Sequence, residues 1–194
     1  MTRRSLVLTL AVTLGACAGD SGTPAPSMRR HYELGRAATP QEVAALDADV
    51  GPDGAGLPAG SGTAVQGEAL FTTKCAVCHG AKGQGTPPLY PAIIGRNPTE
   101  EGFRFGADPK LNRTIGNYWP YATTVFDYVR RAMPHPAPGS LTNDEVYALT
   151  AYLLAANQVI PMTTSLDAAA LKAVKMPYVS KFVPDNRRGG REVR

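Results

Sequence analysis

The chain has 194 residues, of which 43% are hydrophobic and 19% charged, so it carries one domain plus appendages and is too apolar for wholesale disorder. Its 20 glycines and 17 prolines are about a fifth of the chain against an average of about 12%, which implies long irregular segments around a modest core. The formal net charge of +4 comes without the clustered Lys and Arg of a nucleic-acid binder. Three cysteines, Cys17, Cys75 and Cys78, are too few for a disulfide framework.

In chain order, residues 1–16 read as an export signal. Arg3 and Arg4 give a plain basic start, and Leu6 to Leu14 form an apolar run. That run falls well short of the roughly 18–20 residues that span a bilayer. It ends in Leu14-Gly15-Ala16-Cys17, which resembles the lipobox of bacterial lipoproteins. The expectation is an acylated Cys17 on the oxidising side of a bacterial membrane; ordinary cleavage after Ala16, leaving a free thiol, is the alternative. Ala18 after the cysteine favours the outer membrane by analogy. Residues 17–30 are small and polar and suit a flexible tether.

An N-terminal extension is expected over residues 31–62. Within it, Thr39-Pro40-Gln41-Glu42 is a capping box with Pro at the first helical position, predicting a short helix to about Leu46. Residues 47–63 read as an extended Gly/Pro loop. The main domain is expected over 63–160, opening with a helix from about Val65 to Lys74 that turns Gly67, Leu70 and Phe71 toward a partner. Residues 80–119 show no sustained period and predict loops with one short helical turn. Pro120 opens a helix to about Ala132, with Val125, Phe126 and Val129 on one face, and Pro134, Pro136 and Pro138 forbid its continuation. Thr142-Asn143-Asp144-Glu145 is a second capping box. It opens a helix to about Asn157 with a stripe of Val146, Leu149, Leu153 and Ala156. The C-terminal extension, 161–194, predicts a short helix from Leu166 to Val174 and an Arg-rich tail after Pro184. No strand-like alternation persists anywhere, so the fold class is all-α.

The chemistry concentrates in Cys75-Ala76-Val77-Cys78-His79. This C-x-x-C-H spacing is the attachment signature of c-type heme. Two thiols three residues apart reach the two vinyl groups of one porphyrin, and the next residue sets an imidazole over the iron as proximal ligand. A thioredoxin-like reading needs a βαβ context and has no use for His79. A structural zinc site needs four ligands, and there is no second Cys pair. One motif implies one covalent heme c.

A sixth ligand distinguishes an electron carrier from a reactive heme. Met133, in Ala132-Met133-Pro134 between two predicted helices, is preferred on position, because a thioether opposite His79 raises the potential and suits electron transfer. Met176, Met162, His135 and an open site remain alternatives. No residue is assigned as general acid, base or nucleophile. Arg130 and Arg131 read either as a docking rim or as a solvated helix face.

With these residues in hand, the sequence resembles a class I cytochrome c. Gly67-Glu68-Ala69-Leu70-Phe71 is similar to that family's N-terminal helix, whose Gly and aromatic cross the C-terminal helix; Leu149, Tyr152 and Leu153 would be the partners here. Gly85-Thr86-Pro87-Pro88-Leu89 resembles the loop in which a Pro carbonyl accepts the proximal His Nδ1–H, a role that falls to Pro87 or Pro88. Gly95-Arg96 resembles a position where Arg contacts a heme propionate, against the alternative of a surface charge. Trp119, the sole Trp, would donate its indole N–H to a propionate or simply pack.

Three further regions together resemble the cytochrome subunit of the sulfur dehydrogenase and sulfite dehydrogenase family of bacterial thiosulfate oxidation. They are Leu34 to Pro40 with Gly56-Leu57-Pro58, the run Thr114 to Thr124, and Lys175-Met176-Pro177. The resemblance implies a periplasmic electron-transfer subunit that accepts electrons from a molybdenum subunit oxidising sulfite or sulfane sulfur and passes them to a downstream cytochrome or oxidase. A general periplasmic carrier is the alternative, and a heme enzyme or sensor with an open iron site a further one.

Overall fold

A computed structural model of the protein describes residues 35–96 and 112–183. The expected signal segment 1–16, Cys17, the tether 17–30 and the tail from residue 184 lie outside the described residues. The chain divides into two compact units, Met1–Ala38 and Thr39–Arg194, and every element belongs to the second.

Helix α1, Pro40–Leu46, forms behind the Thr39 capping box, in which Glu42 N–H donates to Thr39 Oγ1 at 3.2 Å and Thr39 N–H to Glu42 Oε2 at 2.8 Å. It buries no residue. The loop after it is irregular as expected but tied down: Arg130 donates to the Ala48 carbonyl, Thr123 to the Pro52 carbonyl and Tyr147 to the Pro58 carbonyl, all at 2.8–3.0 Å.

Strand β1, Ser61–Thr63, pairs antiparallel with β2, Ser165–Asp167, Gly62 opposite Leu166. The sequence predicts no strand, and the reason is length: three residues hold too little alternation to register as a period of two. The pairing joins the segments before and after the central helices.

Helix α2 runs Ala64–Lys74. Its capping box, Thr63 with Gln66, is written in the sequence but is not among the signals read there. After α3, Ala76–His79, and the short α4, Ile115–Tyr118, helix α5 covers Ala122–Ala132. It begins two residues later than expected, because Tyr121 is an extended cap with φ −136° and ψ 127°. Val125, Phe126 and Val129 are buried, and the helix stops at extended Met133 before Pro134, as the residue ahead of a proline dictates.

Helix α6, Asn143–Ala156, starts at the Thr142–Glu145 capping box. The stripe predicted for it is too narrow, since all ten residues from Val146 to Ala155 are buried. A helix apolar all round belongs in the middle of a core, and α6 touches α2, α5, β1 and β2. Helix α7, Ala168–Ala173, is capped by Asp167; Leu166, expected to open that helix, sits in β2 at 1% exposure.

The α2–α6 crossing has no room for a side chain at Gly67. A Cβ there would run into the Ala148 carbonyl and lie 2.7 Å from the Tyr152 Cβ. Phe71 then lays its ring 5.2 Å from that of Tyr152. Ala148 thus joins Tyr152 among the contacts of the crossing.

Asp127 on α5 fixes the preceding loop by accepting from Val50 N–H at 2.8 Å while also pairing with Arg131. The Arg131 hydrogen bond, above all, holds its carboxyl below the usual carboxylate range. A depressed value contributes stability above the ordinary range and loses it as pH falls through the folded value. Asp127→Asn should therefore cost about 1 kcal/mol at neutral pH. In urea unfolding at a series of pH values, the gap to the parent protein should close under acid conditions.

Candidate heme site

Helix α2 delivers the motif. It breaks at Cys75, whose φ of −120° and ψ of −35° serve as C-cap of α2 and N-cap of α3. One turn later Gly80, at φ 76°, ends α3, a conformation that glycine adopts without penalty. Cys75 and Cys78 are free and half-buried, His79 is half-buried, and Val77 between the cysteines is 84% exposed.

Burial pushes the Cys75 thiol up to about 11 against the opposing pull of Lys74. Burial also lowers the His79 value, which keeps the imidazole neutral, the form that binds metal. His79 Nδ1 is buried and makes no hydrogen bond among the described residues.

Among the described residues, then, neither the Pro87 nor the Pro88 carbonyl, the expected acceptors, receives a hydrogen bond from His79 Nδ1. The loop is used differently. Gly85 N–H donates to the His79 carbonyl at 2.8 Å, and the Thr86 hydroxyl to the Cys78 carbonyl at 2.6 Å. A bridge between Thr86 and Tyr90 then closes a tight turn that leaves both prolines exposed. Tyr90 in turn sets its ring 6.2 Å from the imidazole, edge to face.

Arg96 donates from Nη1 to the Gln158 carbonyl, and its Nε is buried without a partner. Trp119 packs: its indole N–H goes to Thr124 Oγ1 at 2.8 Å and its ring meets Tyr128 at 5.8 Å, so in this structure the N–H is spent within the protein rather than offered to a propionate. Arg130 donates to the Ala48 carbonyl, and Arg131, half exposed, pairs with Asp127.

The three thioethers considered as sixth ligand lie in different settings. Met133 is half-buried at the C-terminus of α5, where its N–H still closes the last helical turn on Val129. Met176 is 4% exposed in the core, and Met162 is 38% exposed. His135 is exposed. Two surface clefts lie away from the motif. One, of about 260 Å³, has Tyr121, Lys172, Lys175 and Met176 among its walls; the other, of about 540 Å³, is bordered by Arg130, Arg131 and Leu141.

Asn157 is the functional residue that sequence reading missed. It is fully buried and ties the end of α6 to residues 93–95. Its only signal is an Asn closing a helix, which reads equally well as an ordinary cap.

The donor set fits a covalently held heme. Cys75 and Cys78 provide the thiols, and His79 provides a neutral imidazole one residue after them. Fold and site together thus define a helical protein built to hold a heme by two cysteines.

Comparison with known proteins agrees. Residues 64–157 match the cytochrome c family profile. A chain in the crystal structure of the sulfane dehydrogenase SoxCD from Paracoccus pantotrophus is 40% identical, with a TM-score of 0.68 over 80% of this chain and 73% of that one. The thiosulfate dehydrogenase of Psychrobacter arcticus is 33% identical over 91 residues, 44% of this chain and 24% of that protein. The thiosulfate dehydrogenase of Allochromatium vinosum is 30% identical over 95 residues, 46% of this chain and 30% of that protein. The match therefore spans less than a third of either thiosulfate dehydrogenase. The chain belongs to the cytochrome c family: it has the class I cytochrome c fold and is a heme c protein of electron transfer.

Proposed function

We propose that this protein is a monoheme cytochrome that carries single electrons in the periplasm as the electron-accepting subunit of a molybdenum sulfite or sulfur dehydrogenase. The observation that carries the reading is the single Cys75–His79 motif, set at the α2–α3 junction of a chain 40% identical to a chain of a sulfane dehydrogenase.

When bound, the heme supplies one-electron chemistry at its iron. The protein binds, orients and tunes it. Cys75 and Cys78 would hold it covalently, and His79 would ligate the iron. Met133 would be a second iron ligand, since it caps α5 and is half-buried, whereas Met176 is committed to the core. Arg96, with a buried unclaimed Nε–H, would meet a heme carboxylate. Cys17 would carry the lipid that tethers the domain to the outer membrane.

The thiosulfate dehydrogenases align with less than half of this chain; the second reading is a general carrier to an oxidase or another dehydrogenase.

Met133→Ala in the heme-loaded protein should abolish the weak near-infrared band of thioether–iron ligation and open the iron to added imidazole. Met162→Ala and Met176→Ala should keep the band.

Cys17→Ser should move the cytochrome from the membrane fraction to the periplasmic extract without loss of heme. A parent protein already soluble in that extract would contradict the lipid anchor.

The electron-transfer role predicts that stopped-flow mixing with a cognate molybdenum sulfite-oxidising subunit and its substrate reduces the heme, whereas substrate alone does not. Redox encounters bury little surface, often below about 1,200 Å², and rim charges then govern the on-rate, so reduction should slow as salt rises. Equal reduction by sulfite without the partner would rule out the carrier role. Efficient exchange with an oxidase, and none with any sulfite-oxidising partner, would favour the general carrier.

A further inference from the structure

Asn157 caps α6 with its side chain fully buried. Its Nδ2 donates to the Ile93 carbonyl at 3.1 Å and the Leu153 carbonyl at 2.9 Å, and its Oδ1 accepts from Gly95 N–H at 3.2 Å. A buried primary amide engaged by both donors and its oxygen is fixed in orientation, and here it fixes the strand of chain that runs straight into Arg96.

The next residue holds Arg96 from its other end. Gln158 has φ 55°, the left-handed region that costs a non-glycine residue about 1 kcal/mol. It closes α6 by donating to the Ala155 carbonyl at 2.8 Å, while Val159 donates to Leu154 at 2.9 Å, the paired bonds of a Schellman end. In that conformation the Gln158 carbonyl accepts from Arg96 Nη1. Gly116 fills the remaining side, since a Cβ there would come 2.7 Å from both the Arg96 and the Asn157 Cβ atoms.

A guanidinium so confined is a permanent cation, and its Nε–H is buried with no acceptor among the described residues. An unmet buried donor on a charged group is costly, and the group that relieves it is an anion. Close to Gly95, the Thr114 side chain is also buried.

We propose that Asn157 is a positioning residue for the redox centre, acting through Arg96. By locking residues 93–95 to the end of α6, it holds the Arg96 cation against an ionised heme carboxylate and so raises the reduction potential. The inference rests on the reading that Arg96 meets that carboxylate. The electrostatics set the sign. A free carboxylate favours the ferric state, a cation held beside it offsets that preference, and a loosened cation offsets it less.

The test is a double-mutant cycle on the full heme-loaded protein, read as midpoint potential by optical redox titration. Arg96→Gln should lower the potential. Asn157→Ala should lower it by at least half as much, and adding Asn157→Ala to Arg96→Gln should lower it no further. Asn157→Thr, which keeps one hydroxyl in the same space, serves if the alanine variant fails to retain heme, and it should fall between the parent and Arg96→Gln. An unchanged potential in Arg96→Gln would overturn the Arg96–carboxylate reading and this inference with it. A shift in Arg96→Gln with none in the Asn157 variants, or fully additive shifts in the double variant, would overturn the Asn157 role alone. A lowered thermal midpoint with an unmoved potential would reduce Asn157 to a structural tie.

Discussion

The close contact of α2 with α6 at Gly67 governs the rest of the molecule. Two helix backbones can approach this far only where one of them lacks a Cβ, and Gly67 against the Ala148 carbonyl is that place. Phe71 and Tyr152 then fill the space one turn further on, and Lys74 reaches Glu145 at 2.9 Å. An exposed pair of this kind contributes little energy, but it lies next to Cys75 and so marks where α2 must end. The heme motif follows immediately. Its placement follows from how α2 sits on α6, and the bonds from Gly85 and Thr86 to the His79 and Cys78 carbonyls then hold it.

The other end of α6 is fixed as strictly. Buried on every side from Val146 to Ala155, the helix cannot rotate or slide without opening the core, so Asn157 and Gln158 occupy set positions. They pass that rigidity to residues 93–96 through hydrogen bonds rather than apolar packing. One helix thus references the proximal cysteines and histidine at its contact with α2 and a confined arginine at its C-terminus.

How much of this was legible in the sequence follows from the range of each interaction. The capping boxes at Thr39 and Thr142, the proline stops after Met133 and the C-x-x-C-H motif are local, and each is visible within five residues. The crossing at Gly67 was legible only through family resemblance, because its partner lies some eighty residues away. Asn157 was not legible: its partners are at 93–95, and a residue type common at helix ends carries no mark of burial. The β1–β2 pair escaped because three-residue strands leave no period. For Pro87 and Pro88, the resemblance supplied the role, while the turn's hydrogen bonds from Gly85 and Thr86 go to the His79 and Cys78 carbonyls. The width of the buried face of α6 was misjudged for a simpler reason. Tyr147 and Thr150 look polar enough for a surface, yet both are buried, Tyr147 with its hydroxyl delivered to the Pro58 carbonyl.

That last hydrogen bond belongs to a wider pattern. Residues 47–62, β2 and α7 lie outside a minimal heme-holding core, yet each closes a polar or apolar debt of α5 or α6: Val50 N–H on Asp127, Thr123 on Pro52, Leu166 and Leu171 buried against the core. Dipoles and charges fixed before an electron arrives need not reorganise when it does, which is what makes a preorganised site effective. A protein whose iron changes charge by one unit gains from surroundings that do not respond by moving. The extensions tie down α5, which ends at Met133, and α6, which ends at Asn157. They therefore restrain the two helices at whose ends those residues stand.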